Sequence, residues 1–262
     1  MIILKDKKDI KFAPETFLKD YEWESHGQYD SLNFINKDVK VLSVQFSTVG
    51  EKSYRAFPNL EWIIVRQHGY DNINLEECEK RNIGVVTTKP FAQSTADWAN
   101  QFINADDKVL LVGNGAIGSK IKSDNKTVIG RNVSFNSHIF NHNTLIVTIP
   151  PENNKHFINN EFLKNFKGKL ISVSRSDVIN NKALLDNIDN ISHAYIDTLG
   201  DECRKELLDT GKVTYTKHIA WEHNFSYENN TTYFKNLEEQ IEDCLDGLVI
   251  RPVLRRSERV MF

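Results

Sequence analysis

An arginine, a glutamate and a histidine follow one another along the second half of the 262-residue chain, each at the end of an apolar run or in the loop behind one. Arg175 stands in Leu170-Ile-Ser-Val-Ser-Arg-Ser-Asp177, Glu202 closes Ala194-Tyr-Ile-Asp-Thr-Leu-Gly-Asp-Glu202, and His218 stands in Thr216-Lys-His-Ile-Ala-Trp221. Open α/β sheets place ligands outside the carboxyl ends of their strands, which makes Arg175 a candidate anion clamp. Its planar fork grips a carboxylate in a way a lysine cannot. A glutamate paired with an imidazole poises the ring as a proton donor near neutral pH, the chemistry a Glu202–His218 pair would provide. His218 and His223 lack helical i, i+4 spacing and a third ligand nearby, so no metal site is expected. His138, His142 and His156 read as ordinary polar positions.

A second constellation lies in Lys108 to Lys120, KVLLVGNGAIGSK. Gly113, Gly115 and Gly118 fit G-x-G-x-x-G, and the apolar run Val109-Leu-Leu-Val112 leads straight into them. In a strand–turn–helix setting the first glycine permits the tight turn, the second lets a pyrophosphate approach, and the third lets helix and strand pack closely. The backbone of Gly113, Gly115, Ala116, Ile117 and Gly118 is therefore the expected dinucleotide cradle, with a helix opening over Gly115–Ile121. The motif wants a ribose-reading acid ~20 positions on, and there Asn132 follows the strand Thr127-Val-Ile-Gly130. A neutral Asn132 beside Arg131, which can pair with a 2′-phosphate, points to NADP(H) over NAD(H).

These residues need a scaffold, and the sequence supplies one. Runs rich in β-branched residues recur at 39–44, 62–65, 83–86, 109–112, 145–149 and 170–173, as in buried parallel strands. Helix-like stretches at 74–81, 156–166 and 181–188 alternate with them, so the fold class is α/β, with two lobes expected at this length. Ser94-Thr-Ala-Asp97 reads as a capping box starting a helix through Trp98 and Phe102. Phe234, Leu237, Ile241, Cys244 and Leu248 have the spacing of a long amphipathic packing helix within 227–248. A formal net charge of −3 gives no basic field for nucleic acid. Cys78, Cys203 and Cys244 form no CxxC, and no apolar run approaches a membrane span. A cytoplasmic protein with neither nucleic acid nor membrane as partner is expected.

Over residues 62–98 and 108–250 the chain resembles the D-isomer-specific 2-hydroxyacid dehydrogenase family. Trp62-Ile-Ile-Val-Arg-Gln-His-Gly-Tyr-Asp-Asn-Ile73 and Asn82-Ile-Gly-Val-Val-Thr-Thr88 are similar to its substrate-lobe turn and following strand. Arg175, Glu202 and His218 match its substrate-binding arginine, its glutamate and its acid/base histidine. The resemblance implies that amides around His68 and Gly69 hold the substrate carboxylate, and that Ser174 and Asp197 lie on the cofactor, Asp197 at the nicotinamide end. It implies a flavodoxin-like substrate domain, residues 1–98 and 236–262, and a Rossmann-type dinucleotide-binding domain, 99–235. The implied activity is hydride transfer between NADP(H) or NAD(H) and a small 2-keto or 2-hydroxy acid such as glyoxylate, hydroxypyruvate or pyruvate, with a non-catalytic dinucleotide-sensing, corepressor-like role as the alternative. Trp221 after His-Ile-Ala is similar to the glyoxylate and hydroxypyruvate reductases. The stretch Ile103–Lys108 is far shorter than in the family, where a dimerisation arm precedes the glycine-rich strand. A monomer or a homodimer through another surface is therefore expected.

Overall fold

The computed structural model describes residues 1–27, 35–67, 69–88, 90–130, 141–228 and 230–247. Among the described residues the chain forms two compact units, Met1–Pro90 with residues 226–247, and Phe91–Phe225.

In the first unit β1 (Ile2–Lys5), β2 (Trp23–His26), β3 (Val41–Val44), β4 (Trp62–Val65) and β5 (Gly84–Thr87) pair in parallel in the order β2-β1-β3-β4-β5. This is the flavodoxin-like order of a doubly wound sheet. Every residue of β1, β3 and β4 is buried, as a parallel sheet covered on both faces requires. Helices α1 (Glu51–Ala56) and α2 (Leu75–Lys80) connect the later strands.

The second unit opens with α3 (Ala92–Asn100) and continues through β6 (Val109–Val112), β7 (Lys126–Ile129), β8 (Thr144–Val147), α4 (Asn160–Asn165), β9 (Gly168–Ser172), α5 (Asn181–Asp186), β10 (Ile191–Ile196), α6 (Arg204–Asp209) and β11 (Val213–Tyr215). Its six strands run parallel in the order β11-β10-β9-β8-β6-β7. Pleating sends Leu110 and Val112 to one core, with Phe162, Leu163 and Leu184 of α4 and α5, and Val109 and Leu111 to another, with Ala96, Trp98 and Ala99 of α3. The chain then returns to the first unit as α7 (Thr231–Leu245), burying Tyr233, Phe234, Leu237, Ile241 and Cys244, the expected amphipathic face; Leu248 lies outside the described residues. Among the described residues no helix is long and apolar enough to cross a membrane.

Asparagine, scattered along the sequence, has a repeated local use. The side chains of Asn74, Asn159, Asn180 and Asn230 accept from the backbone N–H of Glu77, Phe162, Ala183 and Tyr233, capping α2, α4, α5 and α7. The expected capping box at Ser94 is not one. Phe91 is the N-cap of α3, and Ser94, inside the helix, donates through Oγ to Phe91 O at 3.0 Å and Trp221 O at 2.8 Å. The helix also ends at Asn100, short of Phe102, whose ring stacks on Tyr195 at 3.9 Å between centroids. The abbreviated connection to β6 is tied down: Lys169 Nζ donates to Phe102 O at 2.7 Å and to Asp107 Oδ2 at 2.8 Å, and that carboxylate also accepts from Asn104 N.

Buried charge organises the first unit. Arg66, fully buried at the end of β4, donates to both oxygens of the equally buried Asp9, to Ser43 Oγ and to the carbonyls of Lys5 and Asp6, while Tyr233 Oη donates to Asp9. A buried ion pair of this kind holds only when its remaining donors and acceptors are also satisfied. Next to it, Asp6 Oδ2 accepts from the N–H groups of Gln45, Phe46 and Ser47, each at 2.8 Å, and Oδ1 accepts from Ser47 Oγ at 2.6 Å. Burial by itself would raise the Asp6 pKa, but the Ser47 hydroxyl and these three N–H groups hold it below the ordinary carboxylate value. A carboxylate held lower in the folded than in the unfolded chain contributes stability above its unfolded pKa, and that contribution disappears as pH falls through the folded one. Asp6→Asn should lower the denaturant midpoint at neutral pH and make stability fall less steeply than wild type's below about pH 4. Equal midpoints for the two proteins at neutral pH would show that this carboxylate does not hold the Gln45–Ser47 loop.

Candidate active site

The chain runs from β6 to β7 on one side and comes back to β8 on the other, so the carboxyl ends of β6 and β8 flank a topological switch point. Gly113 follows β6 with φ +98°, a conformation L side chains rarely adopt. Gly118 packs so closely that a Cβ there would lie 2.2 Å from Gly113 O. Thr148, just past β8, closes the turn by donating through Oγ1 to Gly113 O at 3.1 Å. The tightness is what the first and third glycines of a dinucleotide-binding turn supply: Gly113 takes a left-handed turn, and Gly118 lets the backbone behind it pack directly on the Gly113 carbonyl.

The helix expected over Gly115–Ile121 does not form. A single 3-10 turn, Gly118–Lys120, takes its place, and Ile121 leaves it in extended conformation to enter the core. Asn100 fixes that exit, donating through Nδ2 to Lys120 O and accepting from Lys122 N. With one turn in place of a helix, few peptide dipoles align toward a phosphate, and its recognition falls on the individual N–H groups. Arg131 and Asn132, expected at the ribose, lie outside the described residues.

The other expected side chains emerge from the next strands of the same sheet. Ser174 and Arg175 follow β9, Asp197 follows β10, and Thr216 to His218 follow β11. Arg175 Nη1 lies 2.8 Å from His218 Nε2. A guanidinium has no lone pair to offer, so in this arrangement the neutral ring accepts at Nε2. The Asp197 side chain, buried, accepts through Oδ1 from Thr216 Oγ1 at 2.8 Å and from Ala220 N at 2.9 Å. Ser174 is buried, and its carbonyl accepts from Thr198 Oγ1.

The structure brings Arg175 and His218 together but not Glu202 and His218. Glu202 is exposed in the loop before α6, and among the described residues no hydrogen bond or ion pair joins it to the imidazole. Its backbone carbonyl is held instead, accepting from Asn181 Nδ2 at 3.1 Å, and the same amide donates to Gly200 O. In the first unit Gly69 is half-buried in the loop after β4, and His68 lies outside the described residues. Sequence reasoning passed over Asn181, Thr148 and Thr216. The signal for the last two was a hydroxyl at the end of a strand, for Thr216 two positions before the histidine.

A family model described as the catalytic domain of D-isomer specific 2-hydroxyacid dehydrogenases matches residues 2–247. The fold is similar to that of NAD+-bound 3-phosphoglycerate dehydrogenase from Entamoeba histolytica, with a TM-score of 0.76, 17% identity, and 96% of this chain and 97% of that one covered. It is also similar to an acyclic imino acid reductase in complex with NADPH and D-Arg, with a TM-score of 0.73, 16% identity, and 96% and 99% covered. An NADPH-dependent glyoxylate/hydroxypyruvate reductase of Sinorhizobium meliloti, in complex with citrate, gives a TM-score of 0.69, 18% identity, and 94% of each chain covered. Among curated protein sequences none matches the chain.

The cradle makes a direct prediction. Gly118→Ala must push the Gly113 carbonyl away, overpacking of a kind that costs ~1–3 kcal/mol. The variant should unfold at lower denaturant and bind NADPH and NADH more weakly in fluorescence titration, whereas unchanged affinity for both would mean that this turn does not receive the pyrophosphate.

Proposed function

Because the chain belongs to the D-isomer specific 2-hydroxyacid dehydrogenase family, we propose that it uses NADPH to reduce a small 2-keto acid of the glyoxylate, hydroxypyruvate or pyruvate type to the 2-hydroxy acid. The family assigns NAD(P)-dependent dehydrogenase chemistry; the substrate size and the choice of NADPH rest on residues of this chain. The observation that carries the reading is the 2.8 Å approach of Arg175 to His218 on the sheet edge that also bears the glycine cradle. The small substrate is supported by Trp221 in His218-Ile-Ala-Trp221 and by the likeness to the glyoxylate/hydroxypyruvate reductase.

A bound nicotinamide dinucleotide supplies the hydride that goes to the 2-keto carbon. The N–H groups of Gly113, Gly115, Ala116, Ile117 and Gly118 would hold its pyrophosphate, Arg131 and Asn132 its ribose end, and Ser174 and Asp197 its nicotinamide end. Arg175 grips the substrate carboxylate and polarises the carbonyl. As the guanidinium turns to the substrate it leaves Nε2 of His218, which takes up a proton from solvent and gives it to the carbonyl oxygen as charge builds there. Glu202, approaching Nδ1 in the substrate complex, holds and charges the ring; such bonds are often long or absent before substrate binds.

The test is NADPH oxidation with glyoxylate, hydroxypyruvate and pyruvate. Removing a general acid costs ~10²–10⁴ in rate, so His218→Ala should lower kcat with little change in KM, while Arg175→Ala should lower kcat and raise KM together. Glu202→Gln should lower kcat less than His218→Ala does. Wild-type turnover in the His218 and Arg175 variants would remove the mechanism.

Cofactor choice is tested separately. A carboxylate at the ribose would repel a 2′-phosphate, but Asn132 is neutral and Arg131 offers a fork whose charge-assisted bonds are worth ~1.5–3 kcal/mol each. Wild type should bind NADPH more tightly than NADH, and an Arg131→Ala, Asn132→Asp double variant should reverse the order. A preference that survives the double variant would show that these positions do not read the phosphate.

A further inference from the structure

Lys217 and His218 both lie at positive φ, +59° and +62°, and among the described residues they are the only adjacent non-glycine pair that does. Side chains enter this region when their surroundings hold them there, and the inference runs from such an outlier to function. The surroundings here converge on one residue. Asp197 O accepts from His218 N at 2.7 Å, and Asp197 Oδ1 accepts from Thr216 Oγ1 and from Ala220 N, so a single buried aspartate fastens the chain before, at and after the histidine. It is itself fixed to β9 through Asp197 N and Ser172 O, 2.9 Å apart. Thr216 N, bonded to Ile196 O, holds the near end of the loop to β10.

We propose that Asp197, acting through Thr216 and Ala220, is the positioning residue that keeps the left-handed Lys217–His218 pair in place and thereby aims the imidazole at Arg175. This rests on the reading of His218 as the proton donor, and it gives Asp197 a task separate from any contact with the nicotinamide. Both clamping bonds fall on Oδ1, so the same carboxylate can hold the loop with one oxygen and meet the cofactor with the other. Without the clamp the two residues relax toward negative φ, and the ring swings away from the guanidinium.

Thr216→Val removes one clamping bond without altering any group assigned to substrate or cofactor. Since a misplacement of ~1 Å can cost 10²-fold, kcat for glyoxylate reduction should fall about tenfold or more, while the NADPH dissociation constant stays within about twofold. Thr216→Ser, which keeps the hydroxyl, should recover most of the loss. So should Lys217→Gly added to Thr216→Val, because glycine occupies positive φ freely. Failure of the double variant to recover kcat overturns the proposal, as does an equal loss of kcat and NADPH affinity in Thr216→Val. The His218 imidazole signals in heteronuclear NMR, recorded without substrate, give a readout that needs no turnover: they should shift in Thr216→Val and return in the double variant, and unchanged signals overturn the positioning role. If they move as expected while wild type reduces no 2-keto acid, the clamp stands and the proposed reaction falls.

Discussion

The candidate site depends on a ladder of backbone hydrogen bonds that continues one step beyond the strands of the second unit. Gly113 N donates to Ile129 O, Thr148 N to Val112 O, Val173 N to Val147 O, Asp197 N to Ser172 O and Thr216 N to Ile196 O, each bond joining the first residues after one strand to the end of its neighbour. Such bonds contribute only ~0.5–1.5 kcal/mol each. Their larger effect is on register. Because all six strands run parallel, every carboxyl end emerges at the same edge, and the ladder fixes the glycine turn, Arg175, Asp197 and the approach to His218 against one another. Residues more than a hundred positions apart in sequence thereby stand a few strand spacings apart.

Within that frame the chain economises on helix and compensates with side-chain bonds. One 3-10 turn stands where a helix was expected after the glycines, and its exit is fastened by Asn100 from α3. The short connection between α3 and β6 is fastened by Lys169 from β9. In both places a polar side chain on a neighbouring element satisfies backbone groups that a longer helix would have satisfied internally. The glycine turn keeps its tightness through Gly113, Gly118 and Thr148, although the dipole behind it is reduced.

Much of this was legible in the sequence, for a physical reason. Central strands buried on both faces must be apolar throughout, so 62–65, 109–112 and 145–147 stand out as runs, and the order of glycines, arginine, glutamate and histidine along them marks the sheet edge. Two of the four edge strands leave no such trace: β2, Trp23-Glu-Ser-His26, is half-exposed, and β11 has three residues. Ser94 carried the pattern of a cap, but Phe91, buried against Trp221 and Phe225, decides where α3 begins. The Asp197 clamp was out of reach because a left-handed pair of ordinary residues has no sequence signature. Asp6, Asp9, Arg66 and Tyr233 likewise could not be grouped, since only the fold brings them together.

Two arginines at strand ends show what the sequence could not separate. Arg66 follows β4 and Arg175 closely follows β9, and each is a planar cation at a place where α/β sheets bind anions. Arg66 is fully buried, with Nε, Nη1 and Nη2 all engaged by Asp9, Ser43 and two carbonyls. Turning that fork toward a ligand would leave Asp9 charged and buried with its partner gone, which is strongly destabilising. Arg175 is half-exposed, and its Nη1 lies 2.8 Å from Nε2 of the His218 imidazole. The two arginines thus differ in burial and in the partners that surround the fork, a distinction that belongs to environment, not to residue type.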